Sequence, residues 1–165
     1  MTEHERTPVD YIEVTRRTYD GLGYPPYHWV RSEEPPAFAT VTKPLSACRV
    51  ALIASGGVYR QGQIAFHFRD DASYRVIDTS VPTDELRATH FAYDLRDARA
   101  DINVVFPIDT LRALRDEGTI AGLTDEAYTF MGGIYSARKV AEELAPALVE
   151  RVVAQEADLC LLVPV

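Results

Sequence analysis

Disulfide chemistry is the first thing this sequence lacks the means for. It holds two cysteines, Cys48 and Cys160, in 165 residues. Each falls in or beside an apolar, strand-like pattern. Two such thiols build no disulfide framework and suit a reducing cytoplasm, and inside strands they are expected to be buried and inert. Long apolar runs are missing too, since none approaches the ~20 residues of a membrane span. Positive charge is scarce: 17 basic residues face 25 acidic ones, for a net charge of −8. That balance argues against nucleic acid or an anionic membrane as the main partner. The polar start, Met1-Thr2-Glu3-His4-Glu5-Arg6-Thr7-Pro8, has no signal-peptide pattern. A P-loop, a paired-cysteine redox motif and a Ser-His-Asp order are likewise absent.

What is present reads as one cytoplasmic domain with a sizeable core, at 47% apolar and 25% charged residues. Val9, Ile12 and Tyr19 among charges suggest a short amphipathic helix before residue 20. Residues 21–36 hold Gly21, Gly23, Pro25, Pro26, Pro35 and Pro36 around Tyr24, Tyr27 and Trp29. This density forbids a regular element and predicts an ordered aromatic arm. The expected domains are therefore 1–42, helix plus arm, and 43–165, an α/β domain. Residues 49–54 form a compact strand candidate closed by a glycine turn, Ser55-Gly56-Gly57. Residues 75–78 and 102–106 read as further strands. Asp109 reads as the N-cap of a helix that Gly118 stops at C′. Residues 129–134 read as a loop. The last helix, 136–154, carries Val140, Leu144, Leu148 and Val152 on one stripe, with a kink or restart at Pro146. Leu159–Pro164 then reads as a strand buried on both faces. The alternation predicts an α/β fold with a mainly parallel sheet flanked by helices, a Rossmann-like or flavodoxin-like half.

In open α/β sheets ligands sit outside the carboxyl ends of the strands, so the final strand runs to the lip of the expected site. Gly56 and Gly57 fit either a simple turn or a loop facing a substrate, and the spacing rules out a dinucleotide fingerprint. His90-Phe91-Ala92-Tyr93-Asp94 is the densest polar-aromatic cluster. His90 has the side-chain pKa nearest neutrality, and Asp94 lies within reach to orient it. Asp101 and Asn103 share a face if their segment is extended. A histidine with a purely structural hydrogen bond fits the spacing equally well. A metal-dependent hydrolase or lyase using His90, Asp94 and Asp101 is a weaker alternative, because no ligand spacing supports a metal.

Longer strings carry a resemblance. Residues 43–58, Lys-Pro-Leu-Ser-Ala-Cys-Arg-Val-Ala-Leu-Ile-Ala-Ser-Gly-Gly-Val, resemble the first strand and turn of the selenoprotein B family of glycine, sarcosine and betaine reductases, with which D-proline reductase groups. The likeness continues through His90–Asp94, residues 101–107, Tyr-Thr-Phe-Met-Gly at 128–132, Glu-Leu-Ala-Pro at 143–146 and residues 157–165. The likeness is traced from about Pro44 onward, with no match made for residues 1–42. The resemblance implies reductive cleavage of a carbon–nitrogen bond in a small amino compound at the expense of an external dithiol. The family's redox selenocysteine or cysteine follows the strand that here ends at Val165. A selenocysteine codon read as a stop, a separate thiol-bearing polypeptide, or lost chemistry would each account for that.

By matching position, Gly56 and Gly57 would form the loop over the site. His90, Tyr93, Asp94, Asp101 and Asn103 would line it and hold the substrate, with His90 as proton donor. No resident cofactor is implied, and the redox Cys or Sec would come from outside this chain. The expected partners are a second copy or a thiol-bearing chain, meeting the 159–165 end or the aromatic arm. The alternative is a non-catalytic binding or assembly subunit on the same fold.

Overall fold

The computed structural model describes residues 9–26, 31, 33–36 and 38–165. His4 and, within the aromatic arm, Tyr27, His28 and Trp29 lie outside the described residues. The chain divides into two units, Met1–Ala37 and Phe38–Val165. In the first, helix α1 (Tyr11–Gly21) is capped by the Asp10 carboxylate, which accepts the Glu13 N–H. Glu13 accepts hydrogen bonds from Arg16 and Arg17, which hold its carboxyl down at about 2. No described helix is long and apolar enough to cross a membrane.

The second unit is a mixed, mainly parallel sheet with helices on both faces. Its hub is β1 (Arg49–Ala54). Along one edge of β1 run β5 (Gly122–Leu123) and β6 (Glu126–Phe130), both parallel to it, and along the other runs β7 (Leu159–Val163), also parallel. Beyond β6, β3 (Tyr74–Asp78) closes the sheet antiparallel. A separate antiparallel pair, β2 (Val58–Arg60) with β4 (Leu86–Ala88), leaves directly from the glycine turn.

Alternation along β1 assigns its two faces. Val50, Leu52 and Ala54 enter one core with Phe106, Ile108 and Leu111, while Ile53 joins Tyr128, Leu144 and Leu148 in the other. Helices α2 (Arg96–Ala100) and α3 (Ile108–Asp116) belong to the first face. On the second lie α4 (Ala137–Lys139), a five-residue π-turn at Val140–Leu144, and α5 (Ala145–Ala154). Each fully buried Leu, Ile or Phe contributes about 1.5–3 kcal/mol.

Several sequence expectations need correction. Residues 102–104 form a 3-10 turn and not a strand, because the Asp101 carboxylate caps it by accepting the Asn103 N–H. Asp109 lies inside α3, whose N-cap is Pro107. Residues 126–130, read in part as loop, are β6. The helix break precedes Pro146: the Ala145 N–H reaches back five residues to the Val140 carbonyl, opening a wide turn ahead of the residue that has no N–H to give. β7 is an edge strand among the described residues, with Leu162 66% exposed, so Cys160 is exposed rather than enclosed. Partial burial raises the pKa of the Cys160 thiol. Cys48 is buried as expected, its thiol donating to the Pro44 carbonyl.

Candidate functional site

Three parallel strands, β1, β6 and β7, deliver their carboxyl ends to one lip. Ser55, the first residue past β1, ties them together. Its N–H donates to the Val163 carbonyl, its carbonyl accepts from Gly132, and its hydroxyl accepts the Val165 N–H at 2.9 Å. Gly56 follows in a bridge with Met131. A side chain at Gly56 would meet Val105 at 2.8 Å, and one at Gly57 would meet the Thr89 carbonyl oxygen at 2.0 Å. Gly57 also has φ +67°, a region that glycine alone enters freely. The glycines thus let the lip and the segment after β4 close on each other, joined by Gly57 N–H to the Phe130 carbonyl and Thr89 N–H to the Gly57 carbonyl.

That segment carries His90, which is buried. Its ring lies 4.7 Å from that of Tyr93 and stacks on Phe91 at 5.7 Å. The Phe91 ring in turn occupies the space where a side chain at Gly133 would sit. Tyr93 donates its hydroxyl to the Gly56 carbonyl at 2.8 Å. Burial lowers the His90 pKa and raises that of Tyr93, the latter eased by Arg99.

The structure brings Gly56, Gly57, His90 and Tyr93 together, and three other candidates point elsewhere. Asp94 is exposed and paired with Arg96, whose hydrogen bonds hold its carboxyl below the usual range. The imidazole is oriented instead by the Ala92 N–H, which donates to Nδ1 at 3.0 Å. Asp101 is exposed and borders a cleft of about 670 Å³ with Tyr59, Asp84, Arg87, Thr89 and Arg99. Asn103 is spent on α3: its amide donates to Asp101 and Asp109, and its carbonyl accepts the Asp109 N–H. A second, more open cavity of about 800 Å³, lined by Arg60, Gln63, Asp78 and Glu126 among others, contains none of the candidates.

Sequence reasoning missed Ser55, Phe91 and Thr129, whose buried hydroxyl accepts the Val58 N–H at 3.1 Å. Ser55 was legible as the residue between a strand and a Gly-Gly pair. Thr129 gave no signal, because one hydroxyl in an apolar strand has no pattern. Neither cysteine stands at the lip. Cys48 precedes β1, and Cys160 pairs with Ala51, three residues short of the β7 end.

Residues 30–164 match the family described as glycine/sarcosine/betaine reductase selenoprotein B. The chain is 35% identical over 128 residues to the D-proline reductase subunit gamma of Acetoanaerobium sticklandii, an alignment that covers 78% of this chain and 53% of that one. It is 35% identical over 111 residues to the glycine reductase complex component B subunit gamma of Symbiobacterium thermophilum, covering 62% of this chain and 26% of that one. The chain thus spans about half, or a quarter, of the length of these relatives. No solved structure is significantly similar to it. The match over 30–164 makes this chain a member of the glycine/sarcosine/betaine reductase selenoprotein B family.

Proposed function

We propose that this chain is part of a cytoplasmic reductase complex that cleaves a carbon–nitrogen bond in a small amino compound. The bond takes up two electrons and two protons while an external dithiol becomes a disulfide. The carrying observation is the lip at the ends of β1, β6 and β7, where Ser55–Gly57 meets the buried His90 and Tyr93 inside the family-matching segment. Both relatives are named as subunits of reductases, one of D-proline and one of glycine. In this reading the redox Cys or Sec is supplied from outside these residues, which is supported by the burial of Cys48 and by the place of Cys160, three residues short of the β7 end.

The test is reconstitution with a thiol- or selenol-bearing polypeptide and a dithiol, following consumption of D-proline or glycine. Turnover should appear only with both components, and His90→Ala should lower it by at least about tenfold. Absence of turnover with every such partner would overturn the reading. A second reading, a non-catalytic assembly subunit, draws support from β7, which pairs only with β1 among the described residues. It requires that His90→Ala leave the complex's activity unchanged.

A further inference from the structure

The two nitrogens of His90 are in different situations, and the difference fixes what the ring can do. Nδ1 accepts the Ala92 N–H at 3.0 Å. A backbone amide nitrogen only donates, so Nδ1 is the unprotonated nitrogen and the proton of the neutral ring sits on Nε2. Nε2 is buried and has no hydrogen-bond partner among the described residues. Leaving a buried N–H without an acceptor costs about 1–3 kcal/mol, and such atoms call for an explanation.

Making the ring an imidazolium would place the second proton on Nδ1, directly against the Ala92 N–H. The charge would sit between the rings of Phe91 and Tyr93, beside Gly57. Tyr93 is the titratable group in contact, and it is committed to the Gly56 carbonyl. Asp94, the carboxylate that could have offset the charge, is held by Arg96.

We infer that His90 is a neutral hydrogen-bond donor of fixed tautomer, and that its Nε2–H binds a carboxylate oxygen of the substrate rather than giving up a proton. This rests on the reading of the lip as the substrate site. The ligand chemistry follows from the donor. At neutral pH a small amino acid carries its nitrogen as ammonium, which has no lone pair to accept with, so its carboxylate is the acceptor left. A nitrogen that is already protonated also needs no acid in order to leave. Phe91, 45% exposed, stacks on the imidazole face beside this donor.

Long-range proton–nitrogen spectra of the labelled chain test this. His90 is identified among the four histidines by its loss in His90→Gln. The expected pattern is Nε2–H at pH 7, persisting at about pH 6, where an exposed histidine is more than half protonated. An Nδ1–H tautomer, or a cation near neutrality, overturns the proposal. Adding D-proline or glycine should shift the Nε2–H resonance, whereas pyrrolidine, which has no carboxylate, should not. A shift with pyrrolidine, or no shift with either amino acid, overturns it as well. His90→Gln keeps an N–H and should retain amino-acid binding within roughly threefold, against a loss of about tenfold in His90→Ala. Equal losses in the two variants count against it. The tautomer is read on the free chain, so it stands or falls separately from the reductase assay.

Discussion

Gly57 and Gly118 both adopt positive φ, yet their surroundings give them different latitude. Gly118, past the end of α3, has open space where a Cβ would point. Gly118→Ala should therefore cost only the left-handed penalty, about 1 kcal/mol in urea unfolding. Gly57 adds the Thr89 carbonyl at 2.0 Å from that Cβ. Backbone must then move, and Gly57→Ala should cost more than about 3 kcal/mol. Asp109 offers a test by pH. Burial pushes its carboxyl up, but hydrogen bonds from Asn103, Arg112 and Thr83 outweigh that and hold it below the usual range. A depressed carboxylate stabilises the fold above its unfolded pKa and loses that contribution as pH falls through the folded value. The stability gap between wild type and Asp109→Asn should accordingly be widest near neutrality and shrink from about pH 5 downward, as followed by urea unfolding at each pH. None of this pairing was legible from spacing. Asp94 and Asp101 lay near His90 in sequence, and local partners, Arg96 for one and the capped 102–104 turn for the other, claimed them first.

Secondary-structure elements were legible where they are long or sharply punctuated. β1, its Gly-Gly turn, α3 with Gly118 and the closing helix–strand pair all show in the sequence. β2 and β4 span three residues each, too few for any periodicity to register. The apolar run at 102–106 looks like a strand in isolation, but Asp101, Asn103 and Pro107 are turn formers that bend it. β7 misled in another way. Its unbroken apolar sequence is that of a central strand, yet it borders only β1 among the described residues. Leu161, Leu162, Val149 and Val153 remain exposed with it. If that edge meets a partner, Leu162→Lys should leave unfolding free energy within about 0.5 kcal/mol and abolish association in light scattering. Unchanged association would place the interface elsewhere.

At the scale of the whole molecule, the two ends of the parallel strands are built differently. The amino ends are pinned by charge and amides. Arg49 donates to the Leu123 and Gln155 carbonyls and to Asp125, and Asp158 accepts from both the Arg49 N–H and Lys43. The carboxyl ends are glycine-rich and open. Binding there should add to a fold already secured at the other end. A partner or amino acid present at about a hundred times its dissociation constant should raise stability by about 2.7 kcal/mol, seen as a higher melting temperature. The same wiring sets the order in which the chain can assemble. β1 is an early segment whose neighbours arrive far later in sequence, the Arg49 amide meeting Asp158 across 109 residues. Closing loops of that size delays every hydrogen bond of the hub strand, so refolding belongs in the slow regime of milliseconds to seconds rather than microseconds. During synthesis one edge of β1 stays bare until β5 and β6 have been made, and the other until β7. A nascent chain halted after β6 therefore presents its most apolar strand, half paired, to whatever chaperone meets it.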